Sequence, residues 1–157
     1  MKKKHLLIGL FIIYLFALTY IIVLKDLARA VDILKTWSYD GMIQNVEHHI
    51  NLIPFETFRM RLTSPQSLSR YIIPQVVIFI PFGVLLPAIL HNHRNRYFIT
   101  LFSGLLLSIG FEWLQVMTRL GSGDIDDVIL NGAGVMIGYH LFRSLDAIYQ
   151  KVKQYRS

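Results

Sequence analysis

The sequence predicts an all-α membrane protein, a bundle of about four transmembrane helices. Three observations carry that prediction. Hydrophobic residues make up 54% of the 157-residue chain and mean hydropathy is +0.46, above the usage of soluble domains at about 45–50%. Apolar stretches of roughly 20 residues recur, enough to cross about 30 Å of hydrocarbon at about 1.5 Å per residue. Lysine and arginine are also unevenly shared between the connecting segments, as they are when short basic loops stay in the cytoplasm. One membrane domain fills residues 1–157, without a Gly/Ser linker, low-complexity tract or repeat.

The first span is "LLIGLFIIYLFALTYIIVL", residues 6–24, with no charge inside it. Lys2, Lys3 and Lys4 before an apolar run also fit a secretory signal peptide. The run is longer than a signal's apolar core and no small-x-small cleavage site closes it, so an uncleaved anchor is expected. Residues 25–70 form an outer segment. Leu27, Val31 and Leu34 at i, i+4 and i+7, with charges elsewhere, predict an amphipathic helix or an extension of the first span. Trp37 and Tyr39 suit a bilayer interface, and Gly41 is expected to stop the helix. Pro54 then forbids a regular helix through Leu52 and Ile53, which predicts a re-entrant or membrane-surface segment. His48 and His49 are adjacent and point different ways, a poor arrangement for joint metal ligation.

The second span, residues 71–90, carries Pro74, Pro81 and Pro87, each deleting a backbone donor, and is expected to kink. The third covers residues 97–117 and the fourth residues 128–145, diluted by Asn131, His140 and Arg143. Gly134 and Gly138 make a GxxxG pair, and Gly104 and Ser108 repeat the spacing in the third span, predicting close packing between third and fourth.

Four spans put both termini on one side, and the placement of lysine and arginine makes that side the cytoplasm. The inner face then collects Lys2, Lys3, Lys4, Arg94, Arg96, Arg143, Lys151, Lys153 and Arg156 against Asp146. The net charge of +6 and pI near 9.7 therefore describe contact with anionic membrane lipid. No basic element interleaved with aromatics points to nucleic acid, so none is expected as a partner. Absence of cysteine excludes disulfides, thiolate metal sites and cysteine nucleophiles.

The chemistry concentrates where the third span leaves the membrane. Ser108, Glu112 and Gln115 are four and three residues apart and share one helical face. A carboxylate at depth costs on the order of 3 kcal/mol or more, so that face points into the bundle. Glu112 lies about 7 Å below the outer boundary if the span ends near Met117. Beyond it come Arg119, the turn glycines Gly121 and Gly123, and then Asp124, Asp126 and Asp127 at the start of the fourth helix. Asp124 suits an N-cap, and Asp126 suits the positive end of the helix dipole. Asp127 and Asn131 stack on one face.

An outward-facing polar pocket of Glu112, Gln115, Arg119, Asp124, Asp127 and Asn131 is therefore expected, with Arg119 neutralising a carboxylate. Glu112 and Asp127 are the candidates for acid/base chemistry. Asp124, Asp127 and Glu112 are candidates for a divalent cation, although Arg119 could supply the positive charge and no cofactor is otherwise called for. No activated serine is evident, since Ser122 lacks a nucleophile elbow.

The fragments "NLIPF" at Asn51 to Phe55, "FIPFGVLLP" at Phe79 to Pro87, Glu112 with Gln115, Arg119 followed by "DIDDVILN" at Asp124 to Asn131, and "GAGVMIGY" to Tyr139 together resemble the VanZ-like family in order and spacing over roughly residues 45–140. The resemblance implies a small bacterial membrane protein of four or five spans, one branch being associated with low-level teicoplanin resistance. It also implies that Glu112, Gln115, Arg119, Asp124, Asp127 and Asn131 occupy the family's polar motif, and Asn51, Pro54, Pro81 and Gly83 its loop and second-helix positions. Gln75 departs from the pattern, which often has asparagine there. Residues 25–45 fall outside the resemblance.

Three functions follow from different classes. The first is a non-enzymatic envelope protein of the bacterial cell membrane that binds a lipid-linked wall precursor or a lipoglycopeptide and contributes to glycopeptide resistance, with Asn51 and Gln75 joining the ligand-binding set. An enzyme acting on a lipid-linked head group would use Glu112 or Asp127 as base and Arg119 on phosphate. A purely structural protein would use the polar stripe to lock its helices together.

Overall fold

A computed structural model describes residues 2–23, 27–48, 50–61, 65–90 and 93–155. The elements are α1 Lys2–Val23, α2 Leu27–Thr36, α3 Tyr39–His48, β1 Ile50–Asn51, α4 Glu56–Arg61, α5 Pro65–Ser67, a π-helical turn Leu68–Ile72 leading into α6 Ile73–Ile89, α7 Arg96–Met117, β2 Gly123–Asp124 and α8 Ile125–Tyr155. Among the described residues three helices are long and apolar enough to cross a membrane: Lys4–Val23, Leu68–Ile89 and Arg96–Met117. The stretch expected as a fourth span lies within α8, which is 31 residues long, about 46 Å at about 1.5 Å per residue. Asp126, Asp127, Asn131, His140 and Arg143 make it more polar than the other three.

Phe79, Phe82, Phe111, Val135, Leu18 and Val23 form the buried cluster at the centre. Tyr14 of α1 donates to the carbonyl of Ile78 at 2.8 Å, one turn ahead of Pro81. Large apolar side chains such as Phe16, Phe102, Leu106 and Leu145 remain exposed on the outside, as a surface facing acyl chains requires, because lipid tails are as apolar as leucine.

The tightest contact joins α6 and α8 through missing side chains. A Cβ on Gly134 would lie 2.2 Å from the carbonyl oxygen of Val76, and one on Gly138 would lie 2.1 Å from that of Ile80. From the other helix, a Cβ on Gly83 would lie 2.1 Å from the carbonyl oxygen of Val135. The GxxxG face therefore meets the proline-rich second helix, not the third as its spacing had suggested. The third meets α8 through Gly104 against the Val135 side chain and Gly132 against Leu105. GxxxG declares that a backbone approaches closely; it carries no information on which neighbour does so.

Ahead of α6, the amide of Ile73 donates to the carbonyl of Leu68, an i to i−5 bond. Pro74 lacks an amide, so the carbonyl of Arg70 loses its normal donor, and the wider turn carries the helix past that gap. From Ile73 to Ile89 the helix is continuous across Pro81 and Pro87.

Gly41 does not end a helix. α2 stops at Thr36, and Ser38 caps α3: its hydroxyl accepts from the amide of Gly41 at 3.2 Å while its carbonyl accepts from Met42 at 3.0 Å. The chain passes close to Arg119 there: a Cβ on Gly41 would sit 2.8 Å from Nη1, the far end of a flexible side chain that can turn aside. Trp37 donates from its indole to the carbonyl of Met117 at 3.3 Å, serving one of the orphan carbonyls at the end of α7. Leu27 and Leu34 have no described side chains, and Val31 is exposed. His49 of the histidine pair lies outside the described residues.

Candidate functional site

The site is built where α7 ends. Leu120 donates to the carbonyl of Gln115 at 3.0 Å and Arg119 to that of Val116 at 3.1 Å, with Arg119 in the left-handed region at φ 61°. These crossed bonds form a Schellman closure, whose left-handed position glycine usually fills. The chain is thereby turned back toward β2, which pairs in parallel with β1: Ile50 opposite Gly123 and Asn51 opposite Asp124.

Each acidic residue beyond the turn holds a different element. The buried Glu112 accepts the amide of Asp124 at 2.9 Å through Oε2, tying α7 to the short ladder. Asp124 caps α8, its Oδ1 accepting the amide of Asp126 at 3.0 Å. Asp126, 2% exposed, reaches across 71 and 68 positions to accept the amides of Phe55 at 2.5 Å and Phe58 at 2.9 Å. It thus caps α4 and fixes Phe55 at φ 67°. Asn51 completes that corner: its Oδ1 accepts from the amide of Ile53 at 3.1 Å and its Nδ2 donates to Thr57 at 2.9 Å.

On the inner side of this corner lies a cavity of about 420 Å³ between the end of α1, the π-turn, α6, α7 and α8. Gln75, Glu112, Gln115, Asp127 and Asn131 all line it. Gln75 donates to Asp127 Oδ2 at 2.6 Å, and Gln115 donates to the carbonyl of Ile22 at 3.0 Å, satisfying an orphan acceptor at the end of α1. Asn131, 2% exposed, donates from Nδ2 to Ser108 Oγ at 2.8 Å. Its Oδ1 is buried with no hydrogen-bond partner among the described residues. Turning the amide over would exchange the atoms and leave Nδ2 unpartnered instead. Buried polar atoms are almost always paired, which sets this one apart from the other polar groups of the cavity wall.

The structure thus brings together Gln75, Glu112, Gln115, Asp127 and Asn131. Arg119 is directed to Gly41, and among the described residues it makes no ion pair. Asp124 and Asn51 lie on the far side of the ladder, lining a shallow cavity with Thr57 and Met60. Arg70 and Tyr71 join the polar cavity because the π-turn carries them to its wall. Sequence reasoning did not find them. The available signal was a proline one turn beyond a polar helical stretch, where a bulge displaces side chains from α-helical spacing. Asp126 was read as a helix-dipole residue, and nothing in local spacing announces a partner so distant.

Glu112 also forms part of a second cavity of about 250 Å³ walled by Ile50, Ile109, Trp113, Ile125 and Val128. One carboxylate therefore stands between a polar chamber and an apolar one. The polar chamber offers carboxylate and amide acceptors to hydroxyl, amide or ammonium donors. Among the described residues no group of three or more His, Asp or Glu side chains is placed to hold a metal ion.

Comparison with known proteins gives two matches. A family model described as VanZ/LLP1 matches residues 11–147, so the likeness extends through residues 25–45, which the motifs alone had left outside it. "Protein VanZ" of Enterococcus faecium is 32% identical over 135 residues, covering 85% of this chain and 71% of that protein. No solved structure matches.

Proposed function

Because the chain belongs to the VanZ/LLP1 family, we propose that it is a non-enzymatic protein of the bacterial cell envelope whose polar cavity opens to the outer side of the membrane. In this reading residues 128–145 form a fourth span, the proline-rich second span is bent, and both termini are cytoplasmic. The cavity takes the head group of an amphipathic molecule, a lipid-linked wall precursor or a lipoglycopeptide, and its occupation contributes to teicoplanin-type resistance. One observation carries the proposal: the buried, unpartnered Oδ1 of Asn131 in the wall of a cavity of about 420 Å³. The neighbouring apolar cavity across Glu112 suits the greasy part of the same ligand.

The test is drug susceptibility of cells carrying Glu112→Gln or Asp127→Asn, with membrane insertion measured in parallel. Loss of any resistance while the inserted amount is unchanged is the expected result; unchanged susceptibility in both variants removes the proposal. A structural reading is favoured by a specific feature: Glu112, Gln115, Gln75 and Asn131 each bond to another element. Its signature would be that the same substitutions lower the amount of folded protein.

A further inference from the structure

At the opposite end of the bundle a cavity of about 470 Å³ opens between the α6–α7 turn and α8. We propose that it is a binding site for a phosphate group, supplied by an anionic phospholipid. Arg94, Arg96 and Arg143 line it. Arg96 is held in place: its guanidinium lies 5.2 Å from the centroid of the Phe142 ring and 3.9 Å from Asp146 Oδ2. Arg94 and Arg143 are exposed, and among the described residues neither is ion-paired. Three guanidinium groups against the single carboxylate of Asp146 leave a local excess of positive charge.

Guanidinium presents a planar fork that matches the oxygens of a phosphate. The cavity also adjoins the start of α7. Tyr97 and Phe98 line the cavity in the first turn of α7, where amides lack intrahelical acceptors and the helix dipole favours an anion. Asn95, the residue at the cap, makes no side-chain capping bond. The buried Tyr139, edge-on to Tyr97 with ring centroids 4.9 Å apart, stiffens the wall between the arginines of the two helices.

A lipid is favoured over a soluble phosphate by what adjoins the basic rim. Phe98, 58% exposed, lines the cavity, and Phe102, 61% exposed, follows one turn further along α7. This apolar strip runs along a membrane-length helix away from the arginines and offers a bed for an acyl chain. Basic pockets between helices at one membrane face are a recurrent solution for anionic lipid head groups.

The test is native mass spectrometry of the full chain equilibrated with phosphatidylglycerol and phosphatidylcholine in equal amounts, with and without inorganic phosphate. Wild type should retain phosphatidylglycerol, and Arg94→Gln with Arg143→Gln should lower that preference at least about tenfold, the scale of one lost charge-assisted hydrogen bond. Arg143→Lys, keeping charge without the fork, should fall between them. Both altered side chains are exposed, so the thermal unfolding midpoint should be unchanged. Equal retention in wild type and double variant would overturn the site, and displacement of the lipid by inorganic phosphate would overturn its assignment to lipid.

Discussion

The α6–α8 seam and the corner where α3, α4, β1 and β2 meet the end of α7 are both tight, for opposite reasons. The seam is close because side chains are absent: Gly83, Gly134 and Gly138 let backbone lie against backbone. The corner is close because polar side chains reach out: Glu112, Asp124, Asp126 and Asn51 each bond backbone amides. In lipid no hydrophobic force brings helices together, so the seam depends on van der Waals fit. At the polar end, exposed helix termini must find partners, and acidic side chains supply them. The same substitution should therefore have very different effects in the two regions.

Gly138→Ala should have the largest effect. The added methyl meets the carbonyl oxygen of Ile80 and the backbone of Gly83, neither of which can move alone. A cost of about 3 kcal/mol is expected, the upper range for overpacking, visible as a lowered unfolding midpoint in detergent and less inserted protein. Asp126→Ala comes next. It removes both acceptors for Phe55 and Phe58, a loss of about 2 kcal/mol. Hydrogen exchange should rise across residues 50–61 while α6 and α8 stay protected; equal deprotection of the seam would break the distinction.

Gly41→Ala should have the smallest effect. Its methyl meets the far end of the Arg119 side chain and the hydroxyl of Ser38, groups that rotate aside, so a change of about 0.5 kcal/mol is expected, as at surface sites. A loss comparable to that of Gly138→Ala would mean that the corner is as rigid as the seam.

Local spacing explains what was legible. Ser108, Glu112 and Gln115 lie at helical intervals, so their shared face and its inward direction could be read directly, and Glu112 is buried. Asp124 as a cap was legible because a cap bonds within two or three residues. The partner of a face is another matter. Gly134 and Gly138 advertise closeness without an address, and α6 answers in place of α7. Asp126 and Asp127 differ by one position on a helix, yet one holds α4 and the other receives Gln75. Gly41 misled because a glycine near a helix boundary permits a stop or a close approach, and Ser38 with Arg119 decided for approach.

The most direct measurement exploits a chain without cysteine. Ser122 is exposed and borders the polar cavity, so Ser122→Cys adds a near-isosteric reporter. A membrane-impermeant maleimide applied to intact cells should label it, and prior exposure to a lipoglycopeptide should slow the labelling. Labelling only after permeabilisation, or at a rate the lipoglycopeptide leaves unchanged, would contradict an outward-facing binding cavity.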